Sequence, residues 1–136
     1  MRANNEVRGG GAQPSGLKNL LWSVEALVID PTNVAAYAHV TGLRFDDTLP
    51  LTYPFALTFP TVMALATSFD FPFAAMGSVH LENHITQYRP IAVSDSVSVS
   101  VHAENLREHR KGLLVDIVTN LKVGSDVAWH QVTTFL

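Results

Sequence analysis

The chain has 136 residues, which is enough for one domain with a hydrophobic core. Its net charge is −3 and it contains no cysteine. This excludes an overall basic field for nucleic acid, a disulfide framework, thiolate metal sites and a cysteine nucleophile. Charged residues make up only 15% of the chain, against about 25% in an average soluble domain. The low charge indicates that a partner domain or subunit covers part of the surface, although a surface rich in Ser, Thr and Asn is the alternative.

The N-terminal segment, residues 1–16, reads MRANNEVRGGGAQPSG and has no apolar stretch of the kind found in a secretory signal. Its Gly, Asn and Ser content predicts a disordered arm, so the folded domain is expected over 17–136. A first strand is predicted over Ser23–Ile29. Together with the absence of cysteine, the missing secretory signal predicts a cytoplasmic location.

A first helix follows this strand and has recognisable ends. Asp30 is a favourable N-cap, Pro31 fits the first helical position and Gly42 fits the C-terminal stop. Apolar residues between them recur at helical spacing. The pattern predicts a helix that lies on the flank of a sheet.

The segment Thr48–Phe69 contains 22 residues and no charged side chain. It is long enough to cross a membrane, but Pro50, Pro54 and Pro60 would interrupt a spanning helix. We therefore predict no membrane span, a loop over Leu43–Phe59 and a short core helix over Thr61–Ser68. That helix is apolar nearly all round, which predicts that protein surrounds it on every side.

Four strands are predicted after this helix. The second alternates between valine or alanine and polar residues, as expected for a sheet with one buried face. The last strand has no polar tail, which predicts that the natural polypeptide continues or that this sequence is a fragment. The predicted strands are Val79–Tyr88, Ser96–Ala103, Leu113–Val123 and Val127–Leu136.

Two histidines lie four positions apart in the first of these strands. A metalloprotease helix has the order His-Glu-x-x-His, whereas here Glu82 is the third residue of the motif that begins at His80 and ends at His84. Histidines four apart on a strand are separated by about 13 Å, so we predict no metal site. Simple alternation places these three side chains on one face and Asn83 on the other. A polar residue on this strand is either satisfied within the sheet or in contact with a ligand. Asn83 is the preferred candidate for a ligand contact, since an amide can serve a carbonyl group.

A basic turn is predicted between the second and third of the four strands, with the sequence ENLREHRKG. It contains Arg107, His109, Arg110 and Lys111. A solvated hairpin is one interpretation, and a binding site for phosphate groups or for an acidic protein is the other.

Three segments of the chain carry a resemblance to a known family, namely LPLTYPFALTFPTVMALAT, FPFAAMGSVHLENHITQYRPI and AENLREHRKGLLVDIVTN. They resemble the N-terminal half of MaoC-like dehydratases, and in particular the mycobacterial 3-hydroxyacyl-thioester dehydratases that hold two hot-dog halves in one chain. The resemblance covers residues 17–136. It implies an α+β hot-dog fold, in which an antiparallel sheet wraps around a buried central helix.

The resemblance also implies a function, which is reversible hydration of a trans-2-enoyl thioester of coenzyme A or acyl carrier protein in fatty acid metabolism, of the (R)-specific enoyl hydratase type. No cofactor is implied. Active halves of the family carry the pattern Asp-x-Asn-Pro-x-His. Aligning its proline with Pro54 places Leu51, Tyr53 and Ala56 at the positions of Asp, Asn and His. Leucine and alanine cannot transfer protons, so this half is expected to have no catalytic residue and to need a C-terminal catalytic half, or a homo-oligomer, as partner.

A half without the catalytic pair could hold a long acyl chain in a tunnel, because each buried CH₂ contributes about 0.8 kcal/mol. Two alternatives remain open, namely a stand-alone acyl-thioester-binding or structural protein and a hot-dog thioesterase. The thioesterase needs a carboxylate beside the central helix, whereas Asp46, Asp47 and Asp70 are expected to be caps. The expected substrate-binding residues are Tyr53, Phe55, Phe59, Met63, Asn83, Arg110 and Lys111, in a neighbourhood that also contains Phe69, Phe71 and Phe73.

Overall fold

The computed structural model describes residues 21–136. The predicted arm over 1–16 lies outside the described residues. Two helices and five strands follow one another in the order β1, α1, α2, β2, β3, β4, β5. Their bounds are Leu21–Val28 for β1, Pro31–Thr41 for α1, Tyr53–Ala66 for α2, His80–Gln87 for β2, Ser96–His109 for β3, Gly112–Val123 for β4 and Asp126–Phe135 for β5.

The five strands form one antiparallel sheet with the spatial order β1-β3-β4-β5-β2. Helix α2 packs on one face of the sheet, against β1, β3 and β4. The inward side chains of β3 follow the predicted alternation without a break. They are Val97, Val99, Val101 and Ala103, all buried. The arrangement is the one expected from the resemblance, a sheet around a central helix.

The structure confirms the predicted ends of helix α1. The Asp30 carboxylate accepts a hydrogen bond from the main-chain N–H of Thr32 at 2.9 Å, and Pro31 occupies the first turn. Gly42 ends the helix with a φ of 72°, in the left-handed region that glycine adopts without strain. Val34 and Ala38 are buried and join the helix to the core.

The predicted loop over Leu43–Phe59 is wrong in its second half, because α2 begins at Tyr53. Pro54 lies in the first turn, where its missing N–H has no partner to lose. Pro60 is inside the helix, but both it and Ala56 are exposed. Water can therefore solvate the Ala56 carbonyl that Pro60 leaves without an intrahelical donor. The prolines that suggested a loop are accommodated within a helix of 14 residues.

Helix α2 is also not covered on all sides, which corrects the second expectation about it. Its buried face includes Thr58, Val62 and Leu65. The opposite face is exposed along a row that we call the α2 stripe, which consists of Ala56, Phe59, Pro60 and Met63. The helix is therefore apolar on a face that the described chain leaves open.

The β3–β4 hairpin is longer than predicted. Strand β3 continues to His109, so that only Arg110 and Lys111 form the turn. The register shifts between Glu104 and Arg107, where Asn105 has a φ of 55°. A bulge of this kind interrupts the alternation and hides the rest of the strand from pattern analysis.

Candidate functional site

The N-terminus of α2 is fixed to the sheet by a side chain of β5. Trp129, which is fully buried, donates its indole N–H to the main-chain carbonyl of Leu51 at 2.9 Å. Thr52 follows, and its hydroxyl is 2.8 Å from the hydroxyl of Tyr37 on α1. The first turn of the central helix is thus held by both α1 and the last strand.

Tyr53 is a packed core residue of this first turn. It is 1% exposed, and its hydroxyl donates to Asn33 Oδ1 at 2.7 Å. Its ring makes an edge-to-face contact with Tyr37, with centroids 5.3 Å apart. Burial, together with the negative charge of Asp30, raises the pKa of Tyr53 above its ordinary value. The structure therefore gives Tyr53 a role in positioning the helix, and its predicted contact with substrate stays a prediction.

The two positions aligned with the family's catalytic pair lie on the open side of this turn. Leu51 is half exposed and Ala56 is exposed. The first turn of α2 contains no acidic residue and its last turn no basic residue. The side chains of Leu51 and Ala56 themselves cannot transfer a proton.

Asp46 is occupied as a turn cap. Its carboxylate accepts hydrogen bonds from the main-chain N–H of Thr48 at 2.9 Å and from the Thr48 hydroxyl at 3.0 Å. These two bonds hold the pKa of Asp46 below its ordinary value. A carboxylate stabilised in its ionised form is a poor general base, so Asp46 is not a candidate for the base that a thioesterase needs.

Aromatic rings connect α2 to strand β2. The rings of Phe55 and Phe59 have centroids 5.8 Å apart, and Phe55 stacks on His80 at 6.3 Å. The other side of His80 stacks on Phe135 of β5 at 5.3 Å. The structure thus brings Phe55 and Phe59, both predicted substrate-binding residues, next to the start of β2.

Met63 lies at the mouth of a small apolar cavity between α2 and the sheet. The cavity has a volume of about 60 Å³, which is room for about two water-sized groups. A long acyl chain needs far more space than this. The lining residues are Val62, Met63, Ala66, Phe71, Phe73, Ala75, Ser78, Ile117 and Phe135.

Strand β2 does not present the faces that simple alternation predicts. Its register against β5 shifts between His80 and Glu82, so that Leu81 is an extra residue. His80 is opposite Phe135 and Asn83 is opposite Thr133, which places both on the side of the sheet that carries α2. Glu82 and His84 face the other side, with His84 Nε2 3.5 Å from a Glu82 carboxylate oxygen. The expectation that His80 shares a face with Glu82 and His84 is therefore wrong.

Asn83 belongs to a hydrogen-bonded cluster that sequence reasoning missed. Its Oδ1 accepts from Gln131 Nε2 at 2.7 Å and lies 3.5 Å from the Thr133 hydroxyl. Gln131 is 1% exposed. A buried glutamine in an otherwise apolar and threonine-rich strand is the one sequence feature that could have drawn attention to it.

The basic turn lies at the far end of the sheet from the α2 N-terminus. Lys111 lines an open groove of about 630 Å³ together with Met76, Val79 and Leu136. Trp129, whose indole bonds the Leu51 carbonyl, is seven residues before Leu136 along the chain. In extended conformation this corresponds to about 23 Å between the two residues. Arg107 is bound to Asp116 at 2.9 Å, whereas no ion pair to Arg110 or Lys111 is seen from any described residue. The groove that Lys111 lines is nevertheless close to the other predicted residues. Leu136 follows Phe135, which stacks on His80 beside Phe55, and Asn83 is opposite Thr133, three residues before Leu136.

Residues 21–136 contain no group of three or more side chains suited to hold a metal ion. Within the same range, no helix has both the length and the apolar character needed to cross a membrane.

No protein-family model matches the chain. The chain is 67% identical over 144 aligned positions to 3-hydroxyacyl-thioester dehydratase X of Mycobacterium tuberculosis, an alignment that covers 91% of this chain and 51% of that protein. The crystal structure of HtdX of Mycobacterium tuberculosis superposes with a TM-score of 0.81 and 75% identity, over 85% of this chain and 50% of that one. The chain is thus similar to one half of a 3-hydroxyacyl-thioester dehydratase and has the MaoC-like hot-dog fold.

A more distant MaoC-like neighbour is the C-terminally truncated HadBC (3R-hydroxyacyl-ACP dehydratase) complex of Mycobacterium tuberculosis, with a TM-score of 0.70 and 13% identity over 86% of this chain and 94% of that one. At this identity the likeness shows the fold alone. It confirms the α+β hot-dog fold expected from the sequence. The chain spans about half the length of the curated relative that it matches.

Proposed function

We propose that this chain is the non-catalytic, acyl-binding half of a 3-hydroxyacyl-thioester dehydratase, and that 17–136 form its N-terminal hot-dog domain. The observation that carries the proposal is the pair Leu51 and Ala56. Both stand on the open side of the first turn of the central helix, at the positions where an active half has Asp and His. Neither side chain can donate or accept a proton.

The α2 stripe supports the second part of the proposal, a hot-dog partner. Phe59 is 43% exposed and Met63 36% exposed, and both are large apolar side chains on one helix face. Strand β2 is next to this face and is an edge strand, so its outer main-chain groups are free to pair with another strand. The HadBC relative is a complex, which supports a catalytic hot-dog half, or a second copy of this chain, as the partner.

The acyl group of a coenzyme A or carrier-protein thioester is the proposed ligand. The internal cavity of 60 Å³ is too small for a long chain, so we place the chain between the α2 stripe and the partner. Phe55, Phe59 and Met63 would contact it there, and Arg110 and Lys111 would meet the phosphates or acidic surface of the carrier. The proposal includes the cytoplasmic location and the role in fatty acid metabolism predicted from the sequence.

Two measurements on this chain test the proposal. Decanoyl-coenzyme A should bind, as measured by calorimetry, with an affinity that falls when Phe59→Asp introduces a charge on the stripe. Hydration of crotonyl-coenzyme A, followed by ultraviolet absorbance, should not exceed the buffer rate. Turnover by the chain alone would contradict the claim that it lacks a catalytic pair. Absence of binding both by the chain and by its complex with a catalytic hot-dog half would contradict the acyl-binding role.

A further inference from the structure

Asn83 is placed on the same side of the sheet as the aromatic rings of α2. Its partner in the register, Thr133, alternates with Gln131 and Phe135 on β5, and Phe135 lines the cavity under α2. His80, on the same side of β2, stacks on Phe55. The β2 bulge at Leu81 is what brings His80 and Asn83 onto one face.

The orientation of the Asn83 amide is set by Gln131. Gln131 is buried, and a buried amide without a hydrogen-bond partner costs about 1–3 kcal/mol. The Gln131 amide is satisfied because its Nε2 donates to Asn83 Oδ1 at 2.7 Å. Thr133 Oγ1 lies 3.5 Å from the same oxygen. The Asn83 oxygen is therefore directed toward β5, and its NH₂ group is directed away from β5.

The Asn83 NH₂ group can still donate hydrogen bonds. Asn83 is exposed, and within residues 21–136 no acceptor is bonded to its Nδ2. A side-chain amide nitrogen carries two N–H donors and no acceptor. A hydrogen-bond acceptor such as a carbonyl oxygen fits it.

The direction of the side chain indicates where that carbonyl comes from. A strand that paired with the β2 edge would bond in the plane of the sheet through main-chain groups. Side chains stand roughly perpendicular to that plane, so the Asn83 amide points to the face that carries Phe55. A ligand that lies along that face meets the amide, whereas an added strand does not.

We propose that Asn83 is a fixed donor for a carbonyl oxygen of the acyl-thioester arm, and that Gln131 is the residue that positions it. The carbonyl is either that of the thioester or that of an amide in the pantetheine chain, and these share one chemistry. The inference rests on the proposed function, because it assigns a polar contact to the ligand proposed there.

The variant Asn83→Asp tests this assignment with a nearly isosteric change. The carboxylate keeps an oxygen for Gln131 and Thr133, but it replaces the NH₂ donor with a second acceptor. The affinity for decanoyl-coenzyme A should fall about tenfold, which corresponds to about 1.4 kcal/mol, while the melting temperature should stay unchanged. The control Thr86→Asp adds the same charge to β2 on the opposite face, where Thr86 pairs with His130, and should retain full affinity.

A thioether analogue, S-decyl-coenzyme A, separates the two carbonyl sources. A loss confined to decanoyl-coenzyme A supports the thioester carbonyl, and an equal loss with both ligands supports a pantetheine amide. The positioning role of Gln131 is tested by Gln131→Glu. This variant replaces the amide donor with a carboxylate, so that two acceptor oxygens face each other at Asn83. That variant should lose affinity, and the double variant with Asn83→Asp should not recover it.

Equal affinity of the Asn83→Asp variant and the unsubstituted chain would overturn the inference and leave the proposed function standing. A drop of several degrees in the melting temperature of that variant would also overturn it, because it would mean that the NH₂ group and not the oxygen faces Gln131. Absence of decanoyl-coenzyme A binding both by the unsubstituted chain and by its complex with a catalytic hot-dog half would overturn the proposed function, and this inference with it.

Discussion

Trp129 and Leu51 are 78 residues apart in the chain and are joined by a hydrogen bond of 2.9 Å between the indole N–H and the main-chain carbonyl. This bond fixes the start of the central helix against the last strand. It explains why the first turn of α2 keeps one position although its own N-cap, Thr52, makes no capping hydrogen bond.

We predict that Trp129→Phe lowers the free energy of unfolding by about 2–3 kcal/mol. The substitution leaves the Leu51 carbonyl without its donor and removes part of a fully buried ring. Urea unfolding followed by circular dichroism measures the change. Trp22→Phe is the matched control, because Trp22 is only partly buried on the sheet edge strand β1, and it should cost clearly less. Equal losses in the two variants would show that the bond to Leu51 adds nothing to the free energy of unfolding.

Tyr53 gives the chain a pH dependence at the alkaline end. Its pKa in the folded state is raised above the ordinary value of 10.0 by burial and by the charge of Asp30. The folded chain therefore binds this proton more tightly than the unfolded chain, so its contribution is complete below pH 10 and is lost as the pH rises through 10 towards the folded pKa.

We predict that Tyr53→Phe loses about 1 kcal/mol at pH 7, for the hydrogen bond to Asn33, and that its stability then declines less steeply than that of the unsubstituted chain above pH 10. Urea unfolding between pH 7 and 11 checks both effects. Tyr88→Phe, at a position 61% exposed, should leave the slope unchanged. Parallel alkaline slopes for all three proteins would contradict the assignment to Tyr53.

Local signals made much of this fold predictable from sequence. The cap at Asp30, Pro31 and the stop at Gly42 lie within 13 residues of one another and define α1 completely. The alternation of Val97, Val99 and Val101 likewise defines the inner face of β3. Such features depend on neighbours in the chain, so they can be recognised without knowledge of the tertiary structure.

The remaining features depend on contacts that are distant in sequence. Prolines suggested a loop before α2, but Pro60 is tolerated because that side of the helix is exposed. The faces of β2 were misassigned at His80 because a bulge is a property of two paired strands and not of one. The donor that orients Asn83 is Gln131, 48 positions later, and no spacing rule connects them.

Asp116 is a second point where the fold can be tested. It is 7% exposed, and its carboxylate accepts from Asn105 Nδ2 at 2.7 Å, Arg107 Nη1 at 2.9 Å and the Thr134 hydroxyl at 2.7 Å. These bonds tie the bulge of β3 to β4 and β5.

We predict that Asp116→Ala lowers the free energy of unfolding by about 3 kcal/mol, because it leaves a guanidinium group and two polar side chains without their acceptor. Chemical denaturation provides the measurement. Asp126→Ala removes an exposed carboxylate at the next turn and should change stability by less than about 0.5 kcal/mol. A small effect of Asp116→Ala would mean that water replaces the carboxylate at this bulge.

The α2 stripe yields the last prediction, which concerns association. Phe59→Glu places a charge in the centre of the stripe at a position that is exposed in the single chain, so the melting temperature should change little. Burying that charge against an apolar partner is unfavourable, so self-association, or binding to a catalytic hot-dog half, should weaken at least tenfold in sedimentation experiments. Phe69→Glu is the control, since Phe69 is fully exposed and lies beyond the end of α2. If Phe69→Glu weakened association and Phe59→Glu did not, the partner would bind at the segment after α2 and not at the stripe.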